Sequence, residues 1–82
     1  MELKFVELKT DNITQTDKVY EEVDEFISAF ENIDDINLIE EFWDVVQSMM
    51  GIIDLRKITK EELMNGLDKH YKKLENRGYK FK

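Results

Sequence analysis

Eighty-two residues with a formal net charge of -7 and no cysteine make one domain near the lower end of what a single core stabilises unaided. A disulfide framework and a cysteine-based metal site are excluded, so helix packing, association or a hard-metal site must offset the small size. The acidic balance argues against nonspecific nucleic-acid binding, which needs a broad basic face, and MELKFVELK mixes charges with its apolar residues, leaving no signal-like or membrane-spanning run.

A soluble, cytoplasmic chain with no membrane partner and no direct nucleic-acid binding is therefore expected. The charge is unevenly placed. From Val19 to Leu55 there are eleven Asp and Glu and no Lys or Arg, whereas Asp68 to Lys82 holds six Lys and Arg against two acids. One half suits cations and the other suits phosphate.

In chain order, residues 1–12 fit neither helical nor strand periodicity and predict a short arm, extended or helical, that covers the bundle or a partner. The first helix is predicted from about Thr16 to Glu31, where Val19, Val23, Phe26, Ile27 and Phe30 form one apolar stripe. A turn follows in which Asp34, Asp35 or Asn37 can cap the next helix. That second helix, from about Ile36 to Ile53, carries apolar residues over an arc of roughly 180°, wider than one packing contact requires, which implies a second buried face against another subunit.

The third helix opens at TKEE, where Thr59 and Glu62 have capping-box spacing. It turns Leu63, Leu67, Tyr71 and Leu74 inward and ends near Arg77–Gly78. The expected fold is all-α: a compact antiparallel bundle of three main helices plus the arm, a single domain over residues 1–82, completed by oligomerisation.

Placed on these helices, the carboxylates separate. With Val19 at zero, Glu22 falls near 300°, inside the apolar arc, Glu25 lies at its edge near 240°, and Glu21 faces outward. The second helix repeats the pattern with Glu41 and Asp44. Unpaired charges buried this way cost several kcal/mol or are avoided by protonation. A divalent cation removes the conflict, and oxygen-only ligands favour Mg²⁺ or Mn²⁺ with substrate phosphates completing the shell. The plain alternative is a solvated acidic face. An EF-hand lacks its spaced acidic loop and glycine, and a di-iron bundle wants Glu-x-x-His pairs that the sole histidine, His70, does not supply.

Glu21-Glu22-x-x-Glu25, fifteen intervening residues, then Glu41-x-x-Asp44 resembles the EExxE…ExxD signature of the MazG-like all-α nucleoside triphosphate pyrophosphatases. KVYEEVDEFISAF and EEFWDVVQSM are similar to the family's surrounding text, and HYKKLENRGYKF resembles the basic end of its small members, so the likeness spans about residues 16–80. The resemblance implies Mg²⁺-dependent hydrolysis of a nucleoside triphosphate between the α and β phosphates, in nucleotide-pool control. It places the metal ligands at Glu22, Glu25, Glu41 and Asp44, with Glu21 or a ligand carboxylate such as Glu22 acting on the attacking water. A noncatalytic MazG-like protein that binds nucleotide or a partner shares the signature, and a plain helical interaction module is the third reading.

Lys69, Lys72, Lys73 and Arg77, at helical spacings on the third helix, are candidate phosphate donors or else a solvated helix end. Trp43 is a candidate base-stacking residue or core, and His70 is read as structural. A homodimer or homotetramer is expected. One departure is plain: family members usually carry a full helix before EExxE, and only MELKFVELKTDN precedes it here, so base specificity and assembly mode are open.

Overall fold

The computed structural model describes residues 2–8 and 12–82, with residues 12 and 13 described by their backbone alone. The fold is all-α. Helices α1 (Asn12–Glu31), α2 (Asp35–Leu55) and α3 (Lys60–Asn76) follow one another in the chain, with no strand among the described residues. The arm expected over residues 1–12 is non-helical over residues 2–8, while Met1 and residues 9–11 lie outside the described residues.

Helices α1 and α2 form the packed pair, an antiparallel hairpin joined by residues 32–34. Its connection is a Schellman motif: the Asp34 N–H donates to the Ala29 carbonyl at 3.1 Å and the Ile33 N–H to the Phe30 carbonyl at 3.2 Å. This forces Ile33 to φ 55°, in the left-handed region. Of the three capping candidates in the turn, Asp34 is the residue used, its carboxylate accepting from the Asn37 N–H at 3.2 Å.

The first helix opens at Asn12, four residues before the start expected near Thr16. A tertiary contact explains the extension. The Gln15 side chain is 5% exposed, and its Nε2 donates to the Ser48 carbonyl of α2 at 2.8 Å. Opposite it, Gly51 leaves room: a Cβ there would meet Gln15 Nε2 at 2.5 Å and the Leu8 side chain at 3.2 Å. The arm thus lies along α2, and Gln47 Nε2 holds it by donating to the Lys4 carbonyl at 2.8 Å.

Helix α3 begins with the capping box read from TKEE. Thr59 Oγ1 accepts from the Glu62 N–H at 3.1 Å and Glu62 Oε1 accepts from the Thr59 N–H at 3.1 Å. It ends at a second glycine requirement, Gly78 at φ 89°. No residue of α3 is buried. Leu63, Leu67 and Leu74, expected to point inward, are half-buried, and Tyr71 stays 44% exposed, edge-on to Phe81 at 5.2 Å. The cause is an open apolar groove of about 560 Å³ between α2 (Val46, Met49, Ile53) and α3 (Leu63, Met64, Leu67).

The buried apolar core among the described residues is correspondingly thin, consisting of Ala29 and Met50. A radius of gyration of 14.8 Å exceeds the roughly 12 Å of a close-packed chain of this length. Phe30, Ile33, Ile36 and Ile39 stand exposed around the hairpin turn.

Ile33 combines a β-branched side chain with positive φ, an arrangement that costs an L-residue roughly 1–2 kcal/mol, and at 86% exposure it recovers little by burial. Ile33→Gly is predicted to stabilise the protein by about 1 kcal/mol. Urea denaturation with an unchanged or lower midpoint in the variant would contradict this account of the turn.

Candidate metal centre

The hairpin determines which carboxylates meet. Glu22 and Asp44 lie equally far in sequence from Ile33, as do Glu25 and Glu41, so an antiparallel pair turning at that residue sets each couple at one height. One oxygen from each of Glu22, Glu41 and Asp44 lies within 4.8 Å of the others. Glu22 is 5% exposed, while Glu41 and Asp44 are half-buried. Glu25 stands exposed at the edge, near enough to Glu41 to raise the proton affinity of that carboxyl. Glu21 points outward, its side chain 61% exposed.

These groups are under-partnered for their burial. Glu22 Oε2 and Glu41 Oε2 are both shielded from solvent without a hydrogen-bond partner, a state that is costly for a carboxylate. Burial first, then the hydrogen bond with Glu25, then the negative charges of Glu25, Asp44 and Glu22 push the Glu41 carboxyl above its ordinary value. The other oxygen of Glu22 is satisfied: Lys18 Nζ lies 2.6 Å from Glu22 Oε1 and 4.0 Å from Glu21 Oε1. That hydrogen bond, followed by the charges of Glu22, Glu21 and Glu25, raises the Lys18 ammonium above its ordinary value.

Clustered carboxylate oxygens, two of them orphaned, fit a hard divalent cation. Glu22, Glu41 and Asp44 could hold one, and Glu25, the fourth ligand expected from the sequence, is not in that group of oxygens. Two concavities flank the cluster. One of about 280 Å³ is bounded by Glu25 and Glu41 together with Asp24, Ser28, Asn32, Asp34 and Asn37. The other, about 370 Å³, is bounded by Glu22, Asp44, Lys18, Gln47 and Ser48 together with Val6 and Leu8 of the arm.

The remaining candidates from the sequence are not brought here. Lys69, Lys72, Lys73 and Arg77 lie on α3 or at its cap, and none lines either concavity. Trp43 is 44% exposed and packs edge-on to Phe42 at 5.0 Å, outside both concavities. His70 lies beside Tyr71 with ring centroids 6.1 Å apart, remote from the carboxylates in chain position and absent from the lining. Lys18, in contrast, was not singled out from the sequence. Its i,i+4 spacing to Glu22 was the available signal.

The sign of a pH effect follows from Glu41. Its folded-state affinity for a proton exceeds that of the unfolded chain, so stability falls as pH rises from the ordinary value of 4.5 through the raised one. In metal-free buffer the thermal midpoint is predicted to decline with pH over that window, and Glu41→Gln to remove the decline. A Glu41→Gln protein with the parent's pH slope, measured by circular-dichroism melts, would count against this assignment.

No described helix is long and apolar enough to cross a membrane. No curated protein and no solved structure matches the chain. The family model for phosphoribosyl-ATP pyrophosphohydrolase, an all-α member of the MazG-like superfamily, matches residues 6–71 and so takes in α1, α2, all the clustered carboxylates and most of α3. By that match the chain belongs to the phosphoribosyl-ATP pyrophosphohydrolase family, a family of nucleotide pyrophosphohydrolases within the MazG-like superfamily to which its acidic signature is similar.

Proposed function

We propose that this chain is a Mg²⁺- or Mn²⁺-dependent enzyme that cleaves a nucleoside triphosphate between its α and β phosphates, releasing the monophosphate and pyrophosphate. The observation that carries the reading is the pair of orphaned, shielded oxygens on Glu22 and Glu41 within a carboxylate cluster that Asp44 completes. A cation bound there would polarise the phosphoryl oxygens and lower the pKa of a water. The chain's own part is positional. Glu22, Glu41 and Asp44 hold the charge at the α1–α2 seam, and Glu21 or a ligand carboxylate such as Glu22 would orient the attacking water.

The lining charges bear on the substrate class. Phosphoribosyl-ATP carries a ribosyl 5′-phosphate in addition to its triphosphate, and that group needs donors of its own. Of the described residues lining the two flanking concavities, Lys18 is the sole Lys or Arg, while Asp24, Asp34 and Glu25 make the smaller concavity acidic. An unmodified ribo- or deoxyribonucleoside triphosphate suits this balance better, and pool control is the corresponding role.

The same charge balance bears on assembly. Lys69, Lys72, Lys73 and Arg77 line neither concavity of their own chain, and the α2–α3 groove is uncovered. We infer a homodimer or homotetramer in which a second copy covers that groove. Sedimentation equilibrium at micromolar concentration is expected to give a dimer or tetramer, and a stable monomer would overturn this part of the reading.

For the activity, the purified protein is incubated with canonical nucleoside triphosphates and with phosphoribosyl-ATP, each with Mg²⁺ or Mn²⁺, while monophosphate and pyrophosphate are quantified. Metal-dependent turnover with a higher kcat/KM for an unmodified triphosphate is expected, lowered by about a hundredfold or more in Glu22→Ala and Asp44→Ala. Absence of turnover with every substrate despite metal binding would instead favour the noncatalytic nucleotide- or partner-binding alternative.

A further inference from the structure

The acidic seam already contains one cation, supplied by the chain itself. Lys18 leaves α1 one turn before Glu22, and its Nζ reaches 2.6 Å from Glu22 Oε1. The two side chains differ sharply in exposure, 52% for Lys18 against 7% for Glu22. The lysine stem is therefore in solvent while its head group reaches an otherwise buried carboxylate. The pairing is incomplete, because Glu22 Oε2 has no partner, and Lys18 has no ion pair with Glu41 or Asp44 among those the described residues form.

Two positive charges cannot both sit against Glu22 without strong mutual repulsion, since a divalent ion on its carboxylate would lie within a few ångströms of the present ammonium position. An exposed, flexible lysine stem is the element able to yield. Its route outward is bounded by the concavity that Lys18 lines together with Asp44, Gln47 and Ser48, and Lys18 also lines a neighbouring concavity with Glu7, Thr14, Asp17 and Glu21. In this surround of acids and neutral amides, Lys18 is the one Lys or Arg among the described lining residues.

We propose that Lys18 is an exchanging counter-ion: in the metal-free site it neutralises Glu22, and a divalent cation displaces it into the mouth of the site, where its ammonium binds the polyphosphate of the substrate. This rests on the reading of Glu22, Glu41 and Asp44 as a divalent-cation site. The exchange makes metal entry and phosphate capture successive uses of one side chain. It also gives the two ligands opposite dependences on Lys18, which a purely structural i,i+4 pair would not produce.

The test uses the full chain and two variants, Lys18→Met and Lys18→Gln, the second keeping a polar head should the first fold poorly. Mn²⁺ is titrated by calorimetry without nucleotide, and inorganic tripolyphosphate is then titrated at saturating Mn²⁺. Both variants are expected to bind Mn²⁺ about tenfold more tightly than the parent and tripolyphosphate about tenfold more weakly. Changes of equal sign, or the absence of either change, overturn the exchange. If that occurs while Asp44→Ala abolishes Mn²⁺ binding, the cation site itself stands. If neither the parent nor any variant binds Mn²⁺, the cation-site reading falls and the exchange falls with it.

Discussion

The constraint on which this fold depends is the convergence of like charges across the α1–α2 seam. Glu22, Glu41 and Asp44 place oxygens within 4.8 Å of one another at the level where a helical hairpin of this size would ordinarily bury leucine or isoleucine. Carboxylates in such a position lower stability unless they are paired or protonated. The molecule relieves part of this conflict. Lys18 neutralises one oxygen of Glu22, and the Glu41 carboxyl is held above its ordinary range by burial and by its neighbour Glu25. Two oxygens remain orphaned even so. A site kept under-satisfied at this cost is best understood as one whose ligand completes it.

The rest of the architecture reads as compensation. A seam given over to acids leaves a thin apolar core, so order must be imposed locally. The Asp34 cap, the Thr59–Glu62 capping box, the Schellman turn after α1 and the glycine at φ 89° after α3 each satisfy helix-end groups. The Gln15–Ser48 and Gln47–Lys4 hydrogen bonds fasten α1 and the arm onto α2. Such devices fix the helices and their ends, but they do not bury area. Met49, Met64 and the isoleucines around the turn stay exposed, and the groove beside α3 leaves apolar surface uncovered.

How much of this was legible in the sequence depends on whether the determining interaction is local. The all-α class, the third helix's capping box and its glycine stop are set by residues within one turn of each other, and each was readable. The inward rotation of Glu22 and the edge position of Glu25 followed from helical geometry alone. The true start of α1 did not, because Gln15 is held by the Ser48 carbonyl and by the space at Gly51, both on another helix. Neither did the openness of α3, since a stripe of leucines specifies that a face is apolar without specifying what covers it. The Lys18–Glu22 pair is local, and its i,i+4 spacing is legible in the sequence.

The spacing of the acidic signature acquires a physical meaning once the hairpin is known. Glu22 with Asp44 and Glu25 with Glu41 are two couples centred on the same residue, Ile33, which is also where the backbone turns into the left-handed region. Gln15 and Gly51, the close approach that seats the start of α1, share that centre. Adding or removing one residue of α2 ahead of Glu41 would move Glu41 and Asp44 by about 1.5 Å along the helix axis and by about 100° around it. Glu41 and Asp44 would then leave the seam together. The fifteen residues between the two halves of the signature are therefore a structural requirement set by helix length and turn type.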